Sequence, residues 1–335
     1  MNILLTGASG FVGQALAKEF DAEGHAVTAL LRGASKNLPS RVKQIPLVEL
    51  GHLSKTTRIN ALAGIENRDS LECYEEIKDA LKQTDVIVHA AARVHIMNDH
   101  AEDPLAIYRE INTKSTLRLA SMAASQGVKR FIFLSTIKVN GEQTNNRSPF
   151  TETDDCQPSD AYAVSKYEAE IGLAQIAKET GMEVVIIRPP LVYGPGVKGN
   201  FASMINWVKK GVPLPLGSVK NHRSLIALEN LVNFISLCLA HPKAANETFL
   251  ISDGEDLSTT QLIQKIALIL RKKNRLFPIP VKLIQLLASL VGKEAIVNRV
   301  FGSLQIDSGK ARRILNWKPL INIDEQLRRM IRSVD

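Results

Sequence analysis

Cysteine, aromatic residues and long apolar runs are all scarce in this 335-residue chain. The three cysteines, Cys73, Cys156 and Cys238, lie far apart and form no CxxC pair, which argues against a zinc cluster and a disulfide framework. The apolar stretch 277–291 is interrupted by prolines and a lysine, and falls short of the ~20 apolar residues that span a bilayer. We therefore expect no metal site, no membrane insertion and a reduced, cytoplasmic setting.

Positive charge exceeds negative charge, with 42 Lys and Arg against 34 Asp and Glu. The excess suits either a nucleic acid or an anionic small molecule. The basic clusters 271–273, 310–313 and 328–332 lie in stretches of helical character. Aromatic residues, 5% of the chain, do not interleave with them as a base-stacking platform requires. We expect an anionic small substrate and no nucleic acid.

The first half of the chain alternates short β-branched runs with helical periods. The candidate strands are 2–5, 26–32, 45–47, 86–89, 131–135 and 184–188. Nearly continuous apolar strands separated by amphipathic helices predict an α/β fold with a doubly wound, parallel Rossmann sheet. This alternation of strands and helices ends at about residue 189, and proline and glycine are frequent in the segment that follows. We predict a cofactor-binding domain over 1–188 and a smaller C-terminal α/β substrate domain over 189–335, with 225–252 returning to the Rossmann sheet.

A glycine motif follows the first predicted strand directly and opens a helix. Gly7, Gly10 and Gly13 stand at GxxGxxG spacing, which allows a tight turn, a close approach to a diphosphate and a helix N-terminus directed at the anion. This context predicts a dinucleotide-binding loop. The residues expected to contact the cofactor there are Gly7, Ser9, Gly10, Phe11, Val12 and Gly13.

Arg32 ends the second predicted strand, where an acidic side chain would bind the ribose 2′-hydroxyl of NAD. A guanidinium there accommodates a 2′-phosphate instead. The sequence thus predicts an NAD(P)(H) cofactor and favours NADP(H). The alternatives are that Arg32 is only exposed, or that it stacks on adenine with NAD bound.

A phenol and an ammonium stand four residues apart at Tyr162 and Lys166, so a helix places them on one face. A nearby cation favours the phenolate, so we expect Lys166 to lower the pKa of Tyr162 into the range of acid–base chemistry. The hydroxyls of Ser135 and Thr136 follow the fifth predicted strand. Parallel strand ends border the cofactor in such folds, so these hydroxyls can complete the hydrogen-bond set.

Taken together, these motifs resemble an extended short-chain dehydrogenase/reductase of the nucleotide-sugar epimerase/dehydratase superfamily. The matching segments are 6–13, 89–92, 112, 134–141, 162–166, 188–196, 223–230 and 307–319. The resemblance implies that Tyr162 is the general acid/base, that Lys166 holds the nicotinamide ribose and that Thr136 binds the reacting sugar oxygen. It also implies cofactor contacts for a further set of residues, namely Ala90, Ala91, Ala92, Asn112 and Pro189.

The same resemblance extends to the substrate half. Asn200 and Arg223 correspond to residues that bind the diphosphate of a UDP-sugar, and Arg299 is a second candidate arginine. A guanidinium suits this role because it binds phosphate in a bidentate manner. Ser135, Thr136 and Tyr162 would complete the substrate contacts. In many such proteins a helix pair like 105–126 and 159–179 forms a dimer interface, so the resemblance makes a homodimer an expectation.

Departures from the family pattern narrow the reaction. Dehydratases carry an Asp-Glu pair where this chain has Ile137 and Lys138, so dehydration is not expected. Asn140 and the segment 188–191 depart from galactose epimerases, and Arg32 suits a dissociable NADPH. We therefore predict a 4-ketoreductase that converts UDP-4-keto-6-deoxy-N-acetylglucosamine to UDP-N-acetylquinovosamine for surface polysaccharide. The alternative is a UDP-glucose or UDP-N-acetylglucosamine 4-epimerase with tightly bound NAD. A non-catalytic NADP sensor is more remote, because such proteins usually lack Tyr or Lys of the pair.

Overall fold

The computed structural model describes residues 1–46, 68–94, 103–197, 199–280 and 300–332. Side chains are not described for 68–72 and for position 200. The chain divides into two compact units. The first comprises Met1–Val139, Cys156–Arg188 and Val232–Phe249, and the second comprises Asn140–Asp155, Pro189–Leu231 and Leu250–Asp335. The predicted domain boundary at residue 188 stays a prediction, and the two units exchange residues 140–155 and 232–249 across it.

Ten strands make up two sheets in the described part of the chain. They are β1 (Asn2–Thr6), β2 (Ala26–Leu31), β3 (Lys43–Pro46), β4 (Val86–His89), β5 (Arg130–Leu134), β6 (Glu183–Arg188), β7 (Leu191–Tyr193), β8 (Arg223–Ala227), β9 (Thr248–Leu250) and β10 (Asp256–Leu257). The large sheet has the order β3-β2-β1-β4-β5-β6-β9, and β1 to β6 pair in parallel. The predicted Rossmann α/β fold is confirmed.

Helices fill most of the described chain between and after the strands. They are α1 (Phe11–Ala22), α2 (Arg68–Lys82), α3 (Pro104–Tyr108), α4 (Ser115–Ser125), α5 (Ala161–Thr180), α6 (Asn200–Lys209), α7 (Leu228–Ala240), α8 (Thr259–Ile269), α9 (Gly309–Leu315) and α10 (Ile323–Arg332). A π-helical turn, Arg109–Lys114, lies between α3 and α4. Helix α6 lies in the segment where proline and glycine are frequent and was not predicted from the sequence.

Burial on both faces explains why the strands of the first unit are nearly all apolar. Leu4, Ile87, Phe131 and Phe133 from the sheet pack with Leu173 of α5 in one cluster and are fully buried. The carboxyl ends of β1, β4 and β5 lie at one edge of this sheet, and the next segments of chain carry the predicted site residues.

The second unit has its own small sheet and its own core. β8 pairs in parallel with β7 and antiparallel with β10. Tyr193, Phe201, Ile263 and Leu327 form part of a buried cluster that joins this sheet to α6, α8 and α10. No helix in the described part of either unit is long and apolar enough to cross a membrane.

Candidate active site

The glycine loop after β1 leaves no room for side chains. Gly7 has φ +74°, and a Cβ there would lie 2.6 Å from the backbone of Ala90 and Ala91 after β4. A Cβ on Gly13 would lie 2.0 Å from the carbonyl oxygen of Gly7. The Gly10 N–H donates to the same carbonyl over 2.9 Å. The turn, the first helix and the segment after β4 therefore meet at van der Waals distance.

The helix that follows this loop presents unsatisfied amides at its N-terminus. Gly10 is the N-cap of α1 and supplies no side-chain cap, and the first turn carries no acidic residue. Ser9 and Gly10 are exposed, while Phe11 and Val12 are half-buried. Uncapped amides and the positive end of the helix dipole bind anions. A loop that excludes Cβ atoms and leads to such amides fits a dinucleotide diphosphate.

Substitution of a loop glycine by alanine tests whether this loop binds the diphosphate. We expect Gly13→Ala to weaken cofactor binding by at least about tenfold, because the new Cβ must displace the Gly7 carbonyl from the loop. Isothermal titration with NAD and NADP would measure the loss. Gly33→Ala is the control, since a Cβ there meets nothing within 4 Å. Equal cofactor affinity in Gly13→Ala and the wild type would contradict the assignment of this loop to the dinucleotide diphosphate.

A buried histidine at the end of β4 stands behind the loop and was not among the predicted site residues. His89 is 4% exposed, and its ring nitrogens lie 2.9 Å from the Thr6 hydroxyl and 3.0 Å from the Thr116 hydroxyl. Thr116 donates to the Asn112 carbonyl, so it accepts from Nε2 of His89. Thr6 then donates to Nδ1 and accepts from the Ala91 N–H. This assigns the Nε2-protonated tautomer and a fixed direction to every hydrogen bond.

The same burial makes His89 a source of acid sensitivity. Burial first, and then the charge of Lys166, lower the pKa of His89 from 6.5 to about 3. The unfolded chain therefore binds one more proton below pH 6.5. We expect His89 to cost the native state about 2 kcal/mol of unfolding free energy between pH 6.5 and 5, and more toward pH 3.

Urea unfolding at several pH values measures this slope. His89→Asn should flatten it between pH 6.5 and 5, above the range where carboxylates titrate. The exposed His222 gives the control variant His222→Asn, which should keep the wild-type slope. A wild-type protein whose stability does not change over this interval would refute the neutral, buried histidine.

Helix α5 carries the tyrosine and the lysine in its first two turns. Asp160 caps it by accepting from the Ala163 N–H over 2.7 Å, which fixes where the helix begins. Tyr162 is half-buried, and its ring meets the edge of Tyr108 with centroids 6.3 Å apart. The Tyr108 hydroxyl donates to the Val94 carbonyl over 3.1 Å. Tyr108 thus connects the ring of Tyr162 to the segment that follows β4.

Lys166 is directed inward and is 1% exposed. Its Nζ lies 3.9 Å from the centroid of the Phe133 ring on β5. Burial lowers the pKa of Lys166 to about 7, and the charge of Glu170 opposes that shift. An ammonium in this position exchanges its proton near neutral pH.

The sequence predicts a lowered pKa for Tyr162, and this prediction is wrong. Burial, and next the charge of Asp160, raise the pKa of the Tyr162 hydroxyl above its ordinary value. Burial disfavours the charged phenolate, and Asp160 adds a like charge because it caps the turn that carries Tyr162. Tyr162 is therefore a protonated phenol at neutral pH in this environment.

The two strand-end hydroxyls are directed differently. Ser135 is 3% exposed and donates to the carboxylate of Glu170, which is a buried partner rather than a substrate. Thr136 is half-buried, and its hydroxyl accepts from the Lys138 N–H over 3.3 Å. Lys138 pairs in turn with Asp160. Thr136 is therefore the more accessible of the two hydroxyls, and the substrate contacts of both stay predictions.

Glu170 and Arg188 form a buried ion pair that was not predicted from the sequence. They are 4% and 5% exposed, and Nε of Arg188 lies 3.1 and 3.2 Å from the two carboxylate oxygens. Glu170 follows Lys166 by four residues and therefore shares its helix face. An acid on the otherwise apolar face of a helix was the available signal.

Asn112 is a structural clamp in this fold. It lies in the π-helical turn and is 1% exposed. Its side chain accepts from the Arg93 N–H over 2.8 Å, donates to the Arg93 carbonyl over 3.1 Å and donates to the Ser165 hydroxyl over 3.0 Å. These bonds fix the segment after β4 against α5, and the cofactor contact of Asn112 stays a prediction.

The other predicted residues of the first unit lie beside the loop. Arg32 directly follows β2 and is exposed. Ala90, Ala91 and Ala92 follow β4 and are half-buried. These positions agree with contacts to the adenosine and diphosphate parts of a dinucleotide.

The predicted residues of the second unit are described less completely. Pro189 is buried directly after β6. Arg223 begins β8, donates to the Gly302 carbonyl over 3.1 Å and has its pKa lowered by burial. Asn200 begins α6, but its side chain lies outside the described atoms, as does all of Arg299.

Comparison with known proteins agrees with this geometry. Residues 3–252 match the model of the NAD dependent epimerase/dehydratase family. This chain belongs to that family. A UDP-glucose 4-epimerase of Vibrio cholerae is 44% identical over 325 residues, covering 97% of this chain and 92% of the relative. A dTDP-4-dehydro-6-deoxyglucose reductase of Escherichia coli is 23% identical and covers 99% and 97%.

Solved structures of this epimerase/dehydratase fold match over the whole chain. The UDP-glucose 4-epimerase of Thermotoga maritima, with UDP-glucose, has TM-score 0.76 and 22% identity and covers 100% of this chain and 98% of its own. The Thermus thermophilus UDP-glucose 4-epimerase, in complex with NAD, has TM-score 0.75 and 21% identity, with coverage of 99% and 98%. The family predicted from sequence is confirmed, and with it an NAD-dependent family chemistry.

Proposed function

We propose that the protein is a UDP-sugar 4-epimerase that acts on UDP-glucose or UDP-N-acetylglucosamine. The observation that carries this proposal is the 44% identity with the Vibrio cholerae UDP-glucose 4-epimerase over 97% of the chain. This identity favours the 4-epimerase, which is the alternative when the sequence is considered by itself, over the 4-ketoreductase. The roles of Asn200, Arg223 and Arg299 toward the substrate diphosphate remain predictions from the family resemblance.

Each residue of the site has a part in such a reaction. When bound, NAD supplies a hydride acceptor that later returns the hydride. Tyr162 takes the proton from the sugar 4-hydroxyl and gives it back, and Thr136 hydrogen-bonds that oxygen. Lys166 holds the nicotinamide ribose. Because the pKa of Tyr162 is raised in the protein alone, the phenolate needs a further positive charge, which NAD would bring to the site when bound. Glu170 supports this step because its charge opposes the lowering of the Lys166 pKa by burial.

A 4-ketoreductase of the kind first predicted is the second candidate, and Arg32 favours it. The side chain is exposed directly after β2, where it suits the 2′-phosphate of NADPH. Reduction of UDP-4-keto-6-deoxy-N-acetylglucosamine would start from a protonated Tyr162, which is the state that its raised pKa gives. The predicted preference for NADP(H) therefore belongs to this second candidate and not to the epimerase.

Two assays on the purified protein distinguish the candidates. An epimerase interconverts UDP-glucose and UDP-galactose, or their N-acetylamino counterparts, without added cofactor, and a deuterium at C4 of the substrate stays in the product. A reductase oxidises one equivalent of NADPH or NADH per UDP-4-keto-sugar and shows no interconversion. Loss of NADPH use in Arg32→Asp, with NADH use retained, would tie the reductase to Arg32. Inactivity in both assays would reject both candidates.

The homodimer remains a proposal as well. Ile111 and Ile171 are 41% and 55% exposed, and they lie on adjacent helical segments of the first unit. Exposed isoleucines on packed helices are typical of a helical dimer face. Light scattering coupled to size exclusion would give the mass, and Ile171→Glu should shift a dimer toward the monomer.

A further inference from the structure

One surface of the second unit is formed by two stretches that contain no acidic residue. Residues 189–228 hold five Lys and Arg and no Asp or Glu, and residues 257–280 likewise hold five and none. The whole chain has 34 acidic residues in 335. The two stretches themselves therefore carry charge of a single sign, although Lys265 pairs with Glu255 and Asp324 outside them.

The fold joins the two stretches where α6 and α8 end. The Leu214 N–H donates to the Arg275 carbonyl over 3.0 Å, and the Phe277 N–H donates to the Leu214 carbonyl over 3.1 Å. The Arg275 guanidinium donates to the Gly211 carbonyl over 3.1 Å. Val212, Lys273 and Arg275 line one small depression. Segments about 60 residues apart thus form one continuous surface.

Large apolar side chains protrude from this basic surface. Trp207 is 43% exposed, Phe277 is 40% exposed and Val212 is 38% exposed. The Val212 N–H donates to the Trp207 carbonyl over 3.0 Å, which keeps both at the end of α6. By contrast, Trp317 is 3% exposed in the core of the same unit. Trp207 is thus the exposed tryptophan of a chain that has two.

The cations of this surface project into solvent. Lys210, Lys272, Lys273 and Arg275 are all exposed. Within the described residues, none of these four forms an ion pair with an acidic side chain. Their charge is therefore available to an anionic surface rather than neutralised within the protein.

We propose that this basic-aromatic patch, formed by Trp207, Lys210, Val212, Lys273, Arg275 and Phe277, docks the protein reversibly on an anionic phospholipid bilayer. Indole and phenyl rings prefer the depth of the lipid headgroups, and cations are attracted to anionic headgroups. The strength of peripheral binding increases with buried apolar area and with electrostatic attraction to anionic lipids, and the patch supplies both. Trp207 and Phe277 could also stack on bases, but the exposed Val212 cannot, whereas it can enter the apolar boundary of a bilayer, which favours a lipid surface over a nucleic acid.

Vesicle partition tests the proposal without reference to catalysis. The protein should sediment with phosphatidylglycerol–phosphatidylcholine vesicles and not with phosphatidylcholine alone, and the binding should weaken as salt increases. Each cation removed should lower the partition coefficient roughly fivefold, so Lys210→Ala with Lys273→Ala, the patch variant, should lower it about 25-fold. Arg328→Ala with Arg332→Ala removes the same charge from exposed positions of α10 and should change it little.

Tryptophan emission locates the contact. Brominated lipids should quench Trp207 in the wild type, leave the emission of the buried Trp317, and cause no quenching in Trp207→Phe. The proposal is overturned if anionic vesicles do not bind, if the α10 variant loses as much as the patch variant, or if Trp207 is not quenched. Complete competition by UDP-glucose would assign the cations to a nucleotide, and oligonucleotide binding without vesicle binding would assign them to nucleic acid.

Discussion

Replacing Tyr162 by phenylalanine should reduce turnover by about 10²- to 10⁴-fold, which is the contribution of a positioned general acid–base. The change removes one oxygen and keeps the ring that meets the edge of Tyr108. The helix cap at Asp160 and the position of Lys166 do not depend on that oxygen. Steady-state rates in either assay, epimerase or reductase, would measure the loss, while cofactor binding and the melting temperature should stay near those of the wild type.

Tyr108→Phe is the matched control for this result. It removes the same atom from the neighbouring ring, whose hydroxyl donates to the Val94 carbonyl and not to a reacting group. We expect a change of about 1 kcal/mol in stability and less than tenfold in turnover. A Tyr162→Phe protein that retains more than about one-tenth of wild-type turnover would remove Tyr162 from the chemistry and favour a non-catalytic role.

Neutralising Glu170 should be the most destabilising single change in the site. Glu170→Gln leaves Arg188 as a buried charge without its carboxylate partner, which typically costs about 3–5 kcal/mol. It also weakens the acceptor of the Ser135 hydroxyl at the end of β5. A melting temperature lowered by roughly 10 °C corresponds to that energy in a domain of this size.

Glu168→Gln provides the comparison on the same helix. Glu168 pairs with Arg109 at the surface, where side-chain exposures are 30% and 44%. An exposed pair of this kind contributes about 0–1 kcal/mol, so this variant should melt within a few degrees of the wild type. Similar melting temperatures for the Glu168 and Glu170 variants would show that the buried pair does not stabilise the fold.

Activity separates a positioning role of Glu170 from a purely structural one. The groups that face Glu170 are Lys166 on its own helix, Ser135 after β5 and Arg188 on β6. Because Glu170 raises the pKa of Lys166, its loss should lower that pKa further below about 7. The alkaline limb of the pH–rate profile should then move to lower pH in Glu170→Gln, an effect that loss of packing alone would not produce.

Local motifs allowed much of this site to be predicted from the sequence. The glycine loop and the Tyr162–Lys166 pair depend on spacings of three and four residues, which the chain displays directly. The parallel sheet follows from apolar strands alternating with helices, and the strand bounds agree within two residues. The family itself was identified from these motifs alone.

Long-range pairing accounts for what was missed. His89 finds its partners 83 and 27 residues away, and Glu170 finds Arg188 on the next strand. An acid on the apolar face of α5 signals a buried charge, but no local pattern specifies the partner, because the partner depends on which strands become neighbours. The wrong expectation for the Tyr162 pKa has the same origin, since spacing gave the helix face but not the burial of the Tyr162 hydroxyl.

The position of β9 at the edge of the large sheet has a consequence for how the chain is made. This strand lies beside β6 but follows it by about 60 residues, so during synthesis the ribosome releases β6 well before its neighbour. At a synthesis rate of ~5–20 residues per second, the backbone amides at this edge of β6 stay unpaired for several seconds. That edge reads Val184-Val185-Ile186-Ile187, an apolar β-branched run prone to aggregate. A fragment ended at residue 188 would keep this edge open permanently, whereas one extended through residue 250 would close it.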